Sequence, residues 1–417
     1  MTAPAWGRIM EFYSGLRMDS PSGKALGLRT PTLRWQVLCA GICALLLTIG
    51  ISRFAYTPLL PIMRNEAGLS YLAGGWLATF NYVGYIAGAL LAATTAKLSA
   101  KYLYYRVGLV LGVLSTLGMA MTTDPVIWSA LRFLGGLSST AGMLLASGLV
   151  LNWLMRHQHK PELGLHFAGV GLGIMLSGAA VALMAPFLAW DEQWWAFGLL
   201  AALIFLPAWF WMPVPQALST QAQAMSLKPP SDRTMNLMVA TYFCAGFGYV
   251  LSATFIVAIL EKLPLLTGRG SWVWVIVGLA AAPSSFAWDR IARNTGVVGA
   301  LIIAYLLQIV SIVLPVLTEH AGLNILSAVL FGGTFVGIVS LTLTQVGRFF
   351  PANPAKAMAK LTLSYGVAQI AAPAMAGYIA AASGSYSGSL EVATVVMLLG
   401  TGLLIPLYLD ERAHRAT

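Results

Sequence analysis

Apolar stretches of about 20 residues recur along the whole chain, separated by short polar links. A run of this length is what an α-helix needs to cross the hydrocarbon core of a bilayer. A membrane β-barrel would instead show alternating segments of about 10 residues. These runs are continuous and rich in Leu, Ala, Gly and Val. The pattern therefore predicts an all-α integral membrane protein.

The amino-acid composition supports this prediction and excludes other classes of protein. Charged residues make up 9% of the 417 residues and hydrophobic residues 58%. A soluble globular protein carries roughly 25% charged residues, so this chain lacks the groups to cover a water-facing surface. The net charge of +10 suggests nucleic-acid binding, but the basic residues are spread over seven short links and tails. We therefore exclude a soluble enzyme, a disordered chain and a nucleic-acid binder.

We predict twelve transmembrane helices in two six-helix halves. A link rich in Pro, Gln and Ser separates the halves and is predicted to be a flexible connector. The predicted divisions are a cytoplasmic N-terminal tail (1–33), an N-terminal half (34–213), a cytoplasmic linker (214–234), a C-terminal half (235–410) and a C-terminal tail (411–417). The predicted spans begin near Trp35, Tyr71, Tyr102, Val126, Glu162, Trp194, Met235, Ser271, Val297, Leu323, Ala355 and Leu390.

The distribution of Lys and Arg predicts how the chain is oriented in the membrane. With the N-terminus in the cytoplasm, nineteen of the 24 Lys and Arg residues fall in cytoplasmic tails and links. The outer links hold only Arg64, Lys262 and Arg269. Cytoplasmic loops carry the excess of positive charge in membrane proteins. We therefore predict that both termini are cytoplasmic and that the membrane is the bacterial inner membrane.

Similar residues recur in the two halves at an almost constant offset of 196–197 positions. Gly50 corresponds to Gly246, Trp76 to Trp272, and the pair Gly135-Gly136 to Gly332-Gly333. Six predicted helices separate the partners, so both halves enter the membrane from the same side. This predicts a parallel repeat, in which a transporter binds its substrate between the halves near the midplane.

Two six-helix halves with a central cytoplasmic link resemble the major facilitator superfamily. Its signature, Asp-Arg-x-Gly-Arg after the second span of each half, is similar to Asp289-Arg290-Ile291-Ala292-Arg293 in the second half. In the first half Ala93 replaces the acid. Residues 132–136 look like the Arg-x-x-x-Gly element of the fourth span, and residues 50–63 resemble the YbfB/YjiJ-like branch. The resemblance covers about residues 35–410.

The resemblance implies a transporter that works by alternating access. It also implies that Asp289, Arg290 and Arg293 form a cytoplasmic gate, which pairs with a neighbouring helix end and holds the outward-open state. The absence of the acid at Ala93 implies a weaker lock in the first half.

Two arginines, Arg53 and Arg132, lie inside predicted spans at similar depth. An arginine at a helix centre costs at least about 2.5–3.5 kcal/mol. In the major facilitator fold, which the chain resembles, the first and fourth spans both line the central cavity. The two arginines are therefore predicted to bind an anion together, because the N–H groups of a guanidinium match the oxygens of a carboxylate or phosphate. The alternative for either arginine is a bond to backbone carbonyls at a helix break. No Asp or Glu lies deep in a predicted span, which argues against a cationic substrate.

Polar and aromatic side chains at helical spacing complete the predicted substrate site. Such groups orient a ligand in an apolar pocket, or they bond neighbouring helices to each other, and the sequence leaves both interpretations open. The predicted substrate-binding residues are Arg53, Arg132, Tyr56, Asn81, Tyr85, Trp128, Tyr249, Tyr365 and Gln369.

His166 is the one histidine within a predicted span. A free imidazole titrates near neutral pH, which makes this residue the candidate for proton coupling. The alternative is a packing residue held by a hydrogen bond.

We therefore predict a secondary active transporter of a small solute, an organic anion, with protons as candidate coupling ions. The alternatives are a carrier or exporter of neutral sugars or drug-like compounds, and a non-transporting sensor or scaffold on the same fold. The five histidines are scattered without carboxylate partners, so an enzyme is not expected. Three cysteines without zinc spacing predict neither a metal site nor a disulfide framework. The expected partners are a small-molecule substrate and the lipid bilayer, with no cofactor, nucleic acid or partner protein.

Overall fold

The computed structural model describes residues 30–159, 163–216, 231–349 and 354–416, and every regular element within these ranges is helical. Residues Val37–Thr417 form one compact unit. Most of the predicted N-terminal tail and most of the predicted linker lie outside the described residues. The division of the chain into two halves and a linker therefore stays a prediction.

Fifteen α-helices and two π-helical turns are described. The α-helices are α1 (Thr30–Leu45), α2 (Tyr56–Glu66), α3 (Tyr71–Thr94), α4 (Leu98–Met119), α5 (Pro125–Thr140), α6 (Ser147–Arg156), α7 (Gly164–Met184), α8 (Trp190–Phe210), α9 (Asp232–Leu260), α10 (Gly270–Ala281), α11 (Ser284–Thr295), α12 (Val297–Leu317), α13 (Ala321–Phe349), α14 (Pro354–Ser383) and α15 (Ser387–Ala416). The π-helical turns are Leu46–Ile51 and Ala141–Ala146.

The predicted all-α membrane fold is confirmed, with a qualification on the number of spans. In the described part of the chain, ten helical stretches are long and apolar enough to cross a membrane. The pair α10 and α11, bent by 44°, brings the number to eleven. The one predicted span left over is the eleventh, which begins near Ala355 and corresponds to α14; this helix has 30 residues but falls short in apolarity. Because α14 packs against α3 and α9, much of its surface faces protein and not lipid.

The first span is irregular around Arg53. After α1 the chain forms the π-helical turn Leu46–Ile51, in which the amides of Ser52 and Phe54 bond carbonyls five residues earlier, both at 2.9 Å. Residues 52–55 then form a turn before α2 begins. Pro58 lies in the first turn of α2, where a missing N–H is tolerated. Such π-helical turns are frequent at functional sites.

Close helix contacts recur along the chain at the spacing of the internal repeat. A Cβ added to Gly136 would overlap the carbonyl oxygen of Asn81, and one added to Gly332 would overlap that of Val277. The second pair follows the first by 196 positions in both members, the offset found in the sequence. The Oγ1 of Thr57 donates to the carbonyl of Ala253 at 2.7 Å, which joins α2 to α9 at positions also 196 apart. The contacts therefore follow the internal repeat.

Because of this close approach, we expect Gly136→Ala to destabilise the protein. The added methyl group must push α5 away from the α3 backbone, and overpacking of this kind costs about 1–3 kcal/mol. Gly148→Ala is the matched control, because a Cβ there has no neighbouring atom within 4 Å. Thermal melts in detergent should show a lower Tm for Gly136→Ala alone. Equal melting of the two variants would contradict the packing described.

Candidate functional site

A cavity of about 110 Å³ lies in the middle of the helix bundle. Five of the predicted substrate-binding residues line it: Arg53, Tyr85, Tyr249, Tyr365 and Gln369. The remaining lining is largely apolar and aromatic, and it comes from the first span, α3, α7, α9, α13, α14 and the second π-helical turn. These further lining residues are Ile49, Phe54, Met143, Leu144, Phe167, Val170, Tyr242, Phe335, Val336, Val339, Leu343 and Thr362.

The guanidinium group of Arg53 is surrounded by aromatic rings. Its Cζ lies 4.4 Å from the ring centroid of Tyr82, 4.9 Å from that of Tyr85 and 5.6 Å from that of Phe54. Aromatic faces attract a cation, and more strongly where water is excluded. Arg53 is 7% exposed, and its Nε has no hydrogen-bond partner within the described ranges. The arginine is therefore held by aromatic rings and by a hydrogen bond that it donates to the Tyr82 hydroxyl, while its Nε is left unused.

No acidic side chain neutralises Arg53 in the described part of the chain. The groups that act on it electrostatically are tyrosines, namely Tyr249, Tyr82 and Tyr85. A buried charge without a counter-ion is costly, and such a group generally finds a partner. Within the described residues, Arg53 is therefore surrounded by tyrosines and not by carboxylates.

An aromatic wall faces Arg53 from the second half of the sequence. The ring centroid of Tyr249 lies 5.3 Å from that of Phe335 and 5.8 Å from that of Tyr365. Tyr242 packs on Tyr365 at 4.5 Å. Gln369 is 2% exposed, and its Oε1 has no partner within the described residues. This wall combines apolar ring surface with a few groups capable of hydrogen bonding, which is typical of ligand pockets.

Arg132 has a different environment from Arg53. Its Nη1 donates to the carbonyl of Ser52 at 2.9 Å, and its Nη2 donates to the carbonyl of Arg53 at 3.2 Å. Its Cζ lies 4.5 Å from the ring centroid of Tyr56. Arg132 thus binds the carbonyls at the irregular turn of the first span, next to the residue that lines the cavity.

The expectation that both arginines face one cavity is therefore wrong. Only Arg53 belongs to the cavity lining, while the guanidinium of Arg132 is occupied by backbone carbonyls. The alternative stated for either arginine, bonding at a helix break, describes Arg132. The two residues do lie at similar depth, because Arg132 reaches the Arg53 carbonyl directly.

Three other predicted residues make bonds between chain segments and lie outside the cavity lining. The hydroxyl of Tyr56 donates to the Gly74 carbonyl at 2.9 Å, and the Nδ2 of Asn81 donates to the Arg132 carbonyl at 2.9 Å. The Nε1 of Trp128 donates to the Met119 carbonyl at 3.0 Å. The sequence left two interpretations open for these residues, ligand binding and hydrogen bonding between helices. Their contacts are those of hydrogen bonding within the protein.

Sequence reasoning missed Tyr82, Phe54 and Phe335 as neighbours of the site. Tyr82 precedes Tyr85 by three positions on α3, so helical spacing could have placed both rings on one face. Phe54 directly follows Arg53, at a turn that the sequence does not reveal. For Phe335, which lies among many apolar residues of α13, we find no sequence signal.

His166 is fully buried in α7 and bonded on one side. Its Nε2 lies 2.8 Å from the Oγ of Ser147, which itself donates to the Met143 carbonyl at 2.8 Å. The Ser147 hydroxyl hydrogen is therefore used, so Nε2 carries the proton and donates to Ser147. Its Nδ1 is buried without a hydrogen-bond partner in the described ranges and lies next to Gly41.

The predicted gate residues Asp289, Arg290 and Arg293 lie on α11 with exposed side chains. None of them forms an ion pair with another described residue. Their role as a cytoplasmic gate stays a prediction.

Several contacts join distant segments on the side opposite the termini. There the Oγ1 of Thr79 donates to the Ile370 carbonyl at 3.1 Å, and the Nζ of Lys262 donates to the Gly384 carbonyl at 2.7 Å. Tyr386 stacks on Phe255 with ring centroids 4.1 Å apart. Burial raises the pKa of the Tyr386 hydroxyl, which keeps it neutral among these apolar neighbours. These contacts hold α3, α9 and α14 together on that side of the bundle.

A family model described as "Uncharacterised MFS-type transporter YbfB" matches residues 45–405 of the chain. One curated relative is "MFS transporter prlG" from Fungal sp. (strain NRRL 50135), which is 27% identical over 131 residues. That alignment covers 30% of this chain and 27% of the relative. The chain therefore spans only about a quarter of the length of this relative in the match.

Two crystal structures of the nucleoside transporter NupG are similar to this chain. A mutant of NupG matches with a TM-score of 0.68, covering 91% of this chain and 99% of the other. A second NupG structure matches with a TM-score of 0.65, covering 91% and 98% respectively. Sequence identity is 15% in both comparisons, so the likeness concerns the fold alone.

Proposed function

Because the chain belongs to the YbfB family of MFS-type transporters, we propose that it carries a small amphipathic organic anion by alternating access. The protein is an integral membrane protein of transporter type and not an enzyme. The substrate, the coupling ion and the orientation described below are parts of this proposal.

The observation that carries the proposal is Arg53, a guanidinium in the cavity wall with no protein carboxylate beside it. A guanidinium offers parallel N–H donors that match the two oxygens of a carboxylate. Rings of Tyr82, Tyr85 and Phe54 surround the cation and exclude water from it. A charge-assisted bond is strongest in such a site, because water competes for it less.

The rest of the lining favours a substrate with one charge and an apolar body. Among the described lining residues Arg53 is the only cation. A second carboxylate would be buried without a partner, which is costly. Phe335, Val336 and Val339 offer apolar surface opposite the charge. An aromatic or short aliphatic monocarboxylate meets these conditions better than a dicarboxylate, a phosphate ester with two charges or a cation.

Alternating access is supported by the asymmetry of the bundle. Contacts join distant segments on the side opposite the termini, whereas the predicted gate residues of α11 on the termini side are exposed and form no ion pair within the described structure. The excess of Lys and Arg on the termini side leads us to propose that this side is cytoplasmic. In that orientation the described conformation faces inward, in a bacterial inner membrane.

We expect small monocarboxylates to stabilise the purified protein selectively. Benzoate and phenylacetate would be compared with succinate, glucose, benzamide and phenethylammonium in thermal melts. A ligand at about 100 times its Kd adds about 2.7 kcal/mol of stability. The account predicts an upward shift of Tm with benzoate or phenylacetate and none with benzamide, which has the same shape without the charge.

Other outcomes of this panel have definite meanings. A shift with glucose or phenethylammonium, but none with the monocarboxylates, would replace the anion by a neutral or cationic substrate. Binding of benzoate without flux in proteoliposomes would indicate a sensor or scaffold. Equal shifts with benzoate and benzamide would show that the charge is not recognised.

We further propose that a proton crosses with the anion through His166, because its Nδ1 is a ring nitrogen without a hydrogen-bond partner within the described ranges. His166→Gln keeps an N–H donor toward Ser147 but carries no titratable group. The variant should still bind and exchange benzoate, and it should lose accumulation driven by a pH gradient. Wild-type accumulation by the variant would assign His166 to packing alone.

A further inference from the structure

A second cavity, of about 440 Å³, lies beside the central one. It is formed at the termini-side ends of α3 and α6, by the first turn of α4 and by α14. We call it the lateral groove. Its lining residues are Ile86, Ala89, Leu90, Ala92, Ala93, Leu98, Lys101, Leu144, Leu145, Gly148, Leu149, Leu151, Asn152, Met155, Thr362 and Leu363.

The lateral groove adjoins the central cavity. Leu144 and Thr362 belong to the lining of both, so these two side chains lie between the two spaces. Gly148, one turn after Leu144, lines the groove and has no atom within 4 Å of the position where a Cβ would stand. There is therefore open space in the groove close to the residues that it shares with the central cavity.

The groove has the same chemical character as the central cavity, an apolar wall with one positive charge. Lys101 is its only cation among the described lining residues, and it lies in the first turn of α4 at the membrane boundary. Leu90 and Leu363 line the groove and are 48% and 43% exposed, so the groove opens toward the bilayer. An amphipathic anion would pass from one cation, Arg53, to a second, Lys101, along an apolar surface.

We propose that the transported anion passes between the central cavity and the termini side of the membrane through the lateral groove, between α3, α6 and α14, with Lys101 receiving its charged end at the boundary. This inference rests on the proposed function. The inference adds a route to the binding site at Arg53, and it assigns a role to Lys101, which lies outside that site. It also explains why a groove of this size adjoins the central cavity on the termini side of the bundle.

Gly148→Phe tests the route, because the ring fills the groove without displacing a neighbouring atom at the Cβ. Gly402→Phe is the matched control, since Gly402 of α15 also has open space at its Cβ and lies away from both cavities. Binding of benzoate in detergent and flux of labelled benzoate in proteoliposomes would be measured for both. We expect Gly148→Phe to bind benzoate within about twofold of the wild-type Kd and to slow flux about tenfold or more, while Gly402→Phe changes neither.

The outcomes separate this inference from the proposed function. Failure of the wild-type protein to bind benzoate would overturn the proposed function and the route together. Wild-type flux by Gly148→Phe would overturn the route alone. Loss of benzoate binding by Gly148→Phe would also overturn it, because the groove would then be part of the binding site or be filled by a structural lipid.

Lys101→Gln provides an independent check, because it removes the charge and leaves the groove open. Flux of benzoate should fall about threefold to tenfold at low ionic strength, with less difference at high salt, and Kd should be unchanged. Lys101→Arg should restore flux. Equal flux for Lys101→Gln and the wild type at low salt would remove Lys101 from the route.

Discussion

Replacing Arg53 with glutamine is expected to lower the affinity for benzoate at least about 100-fold, a loss of roughly 3 kcal/mol. Glutamine keeps part of the side-chain volume and a hydrogen-bond donor, but it removes the charge that the carboxylate requires. The cavity would then offer the anion no cation within the described lining. Calorimetric titration of benzoate into the purified variant measures the loss.

Two further variants distinguish the role of Arg53 from a general loss of positive charge. Arg53→Lys keeps the charge without the planar fork, so its affinity should lie between those of the wild type and Arg53→Gln. Arg106→Gln is the control, since the Arg106 Cζ lies 3.8 Å from the ring of Trp209 and the residue lines neither cavity. Unchanged benzoate affinity in Arg53→Gln would contradict the assignment.

Replacing Arg132 with glutamine is expected to produce the largest loss of stability, about 4 kcal/mol. The variant would leave the carbonyls of Ser52 and Arg53 buried without their donors, and each such group costs about 1–3 kcal/mol. Affinity for benzoate should fall about tenfold, because Arg53 is no longer held at the turn. Thermal melts and titrations of the same preparation measure both effects.

Ser139→Ala is a milder control for Arg132, because it removes one hydroxyl that the carbonyls of Thr48, in the π-helical turn of the same span, and Gly135 share. It should lower stability by about 1 kcal/mol and leave affinity nearly unchanged. An Arg132→Gln protein that melts like the wild type but loses binding as fully as Arg53→Gln would contradict a positioning role. It would mean that Arg132 contacts the ligand directly.

Much of the fold could be predicted from the sequence, because the bilayer imposes simple constraints on length and apolarity. The apolar runs gave the helical regions, and the offset of 196 positions reappears in the contacts of Gly136 with Asn81 and of Gly332 with Val277. The exception, α14, is less apolar because it faces α3 and α9. The bend of 44° between α10 and α11 was not foreseen either.

The site was predicted only in part, because helical spacing defines a face and not what that face meets. Tyr85, Tyr249 and Tyr365 line the cavity, whereas Asn81 and Tyr56 bond neighbouring backbone. Depth in the span could not separate Arg53 from Arg132 either. The two side chains point in different directions because the first span is irregular around Arg53, where the carbonyls of Ser52 and Arg53 accept hydrogen bonds from Arg132. No sequence pattern predicted this irregular segment.

The most direct test of the central claim is a crystal structure with 4-bromobenzoate, in which anomalous scattering locates the bromine. The account predicts that the carboxylate lies within hydrogen-bond distance of the Arg53 guanidinium, about 2.7–2.9 Å, and that the bromine lies against Phe335 and Val339. A carboxylate bound at Arg132, or a bromine outside the central cavity, would contradict it.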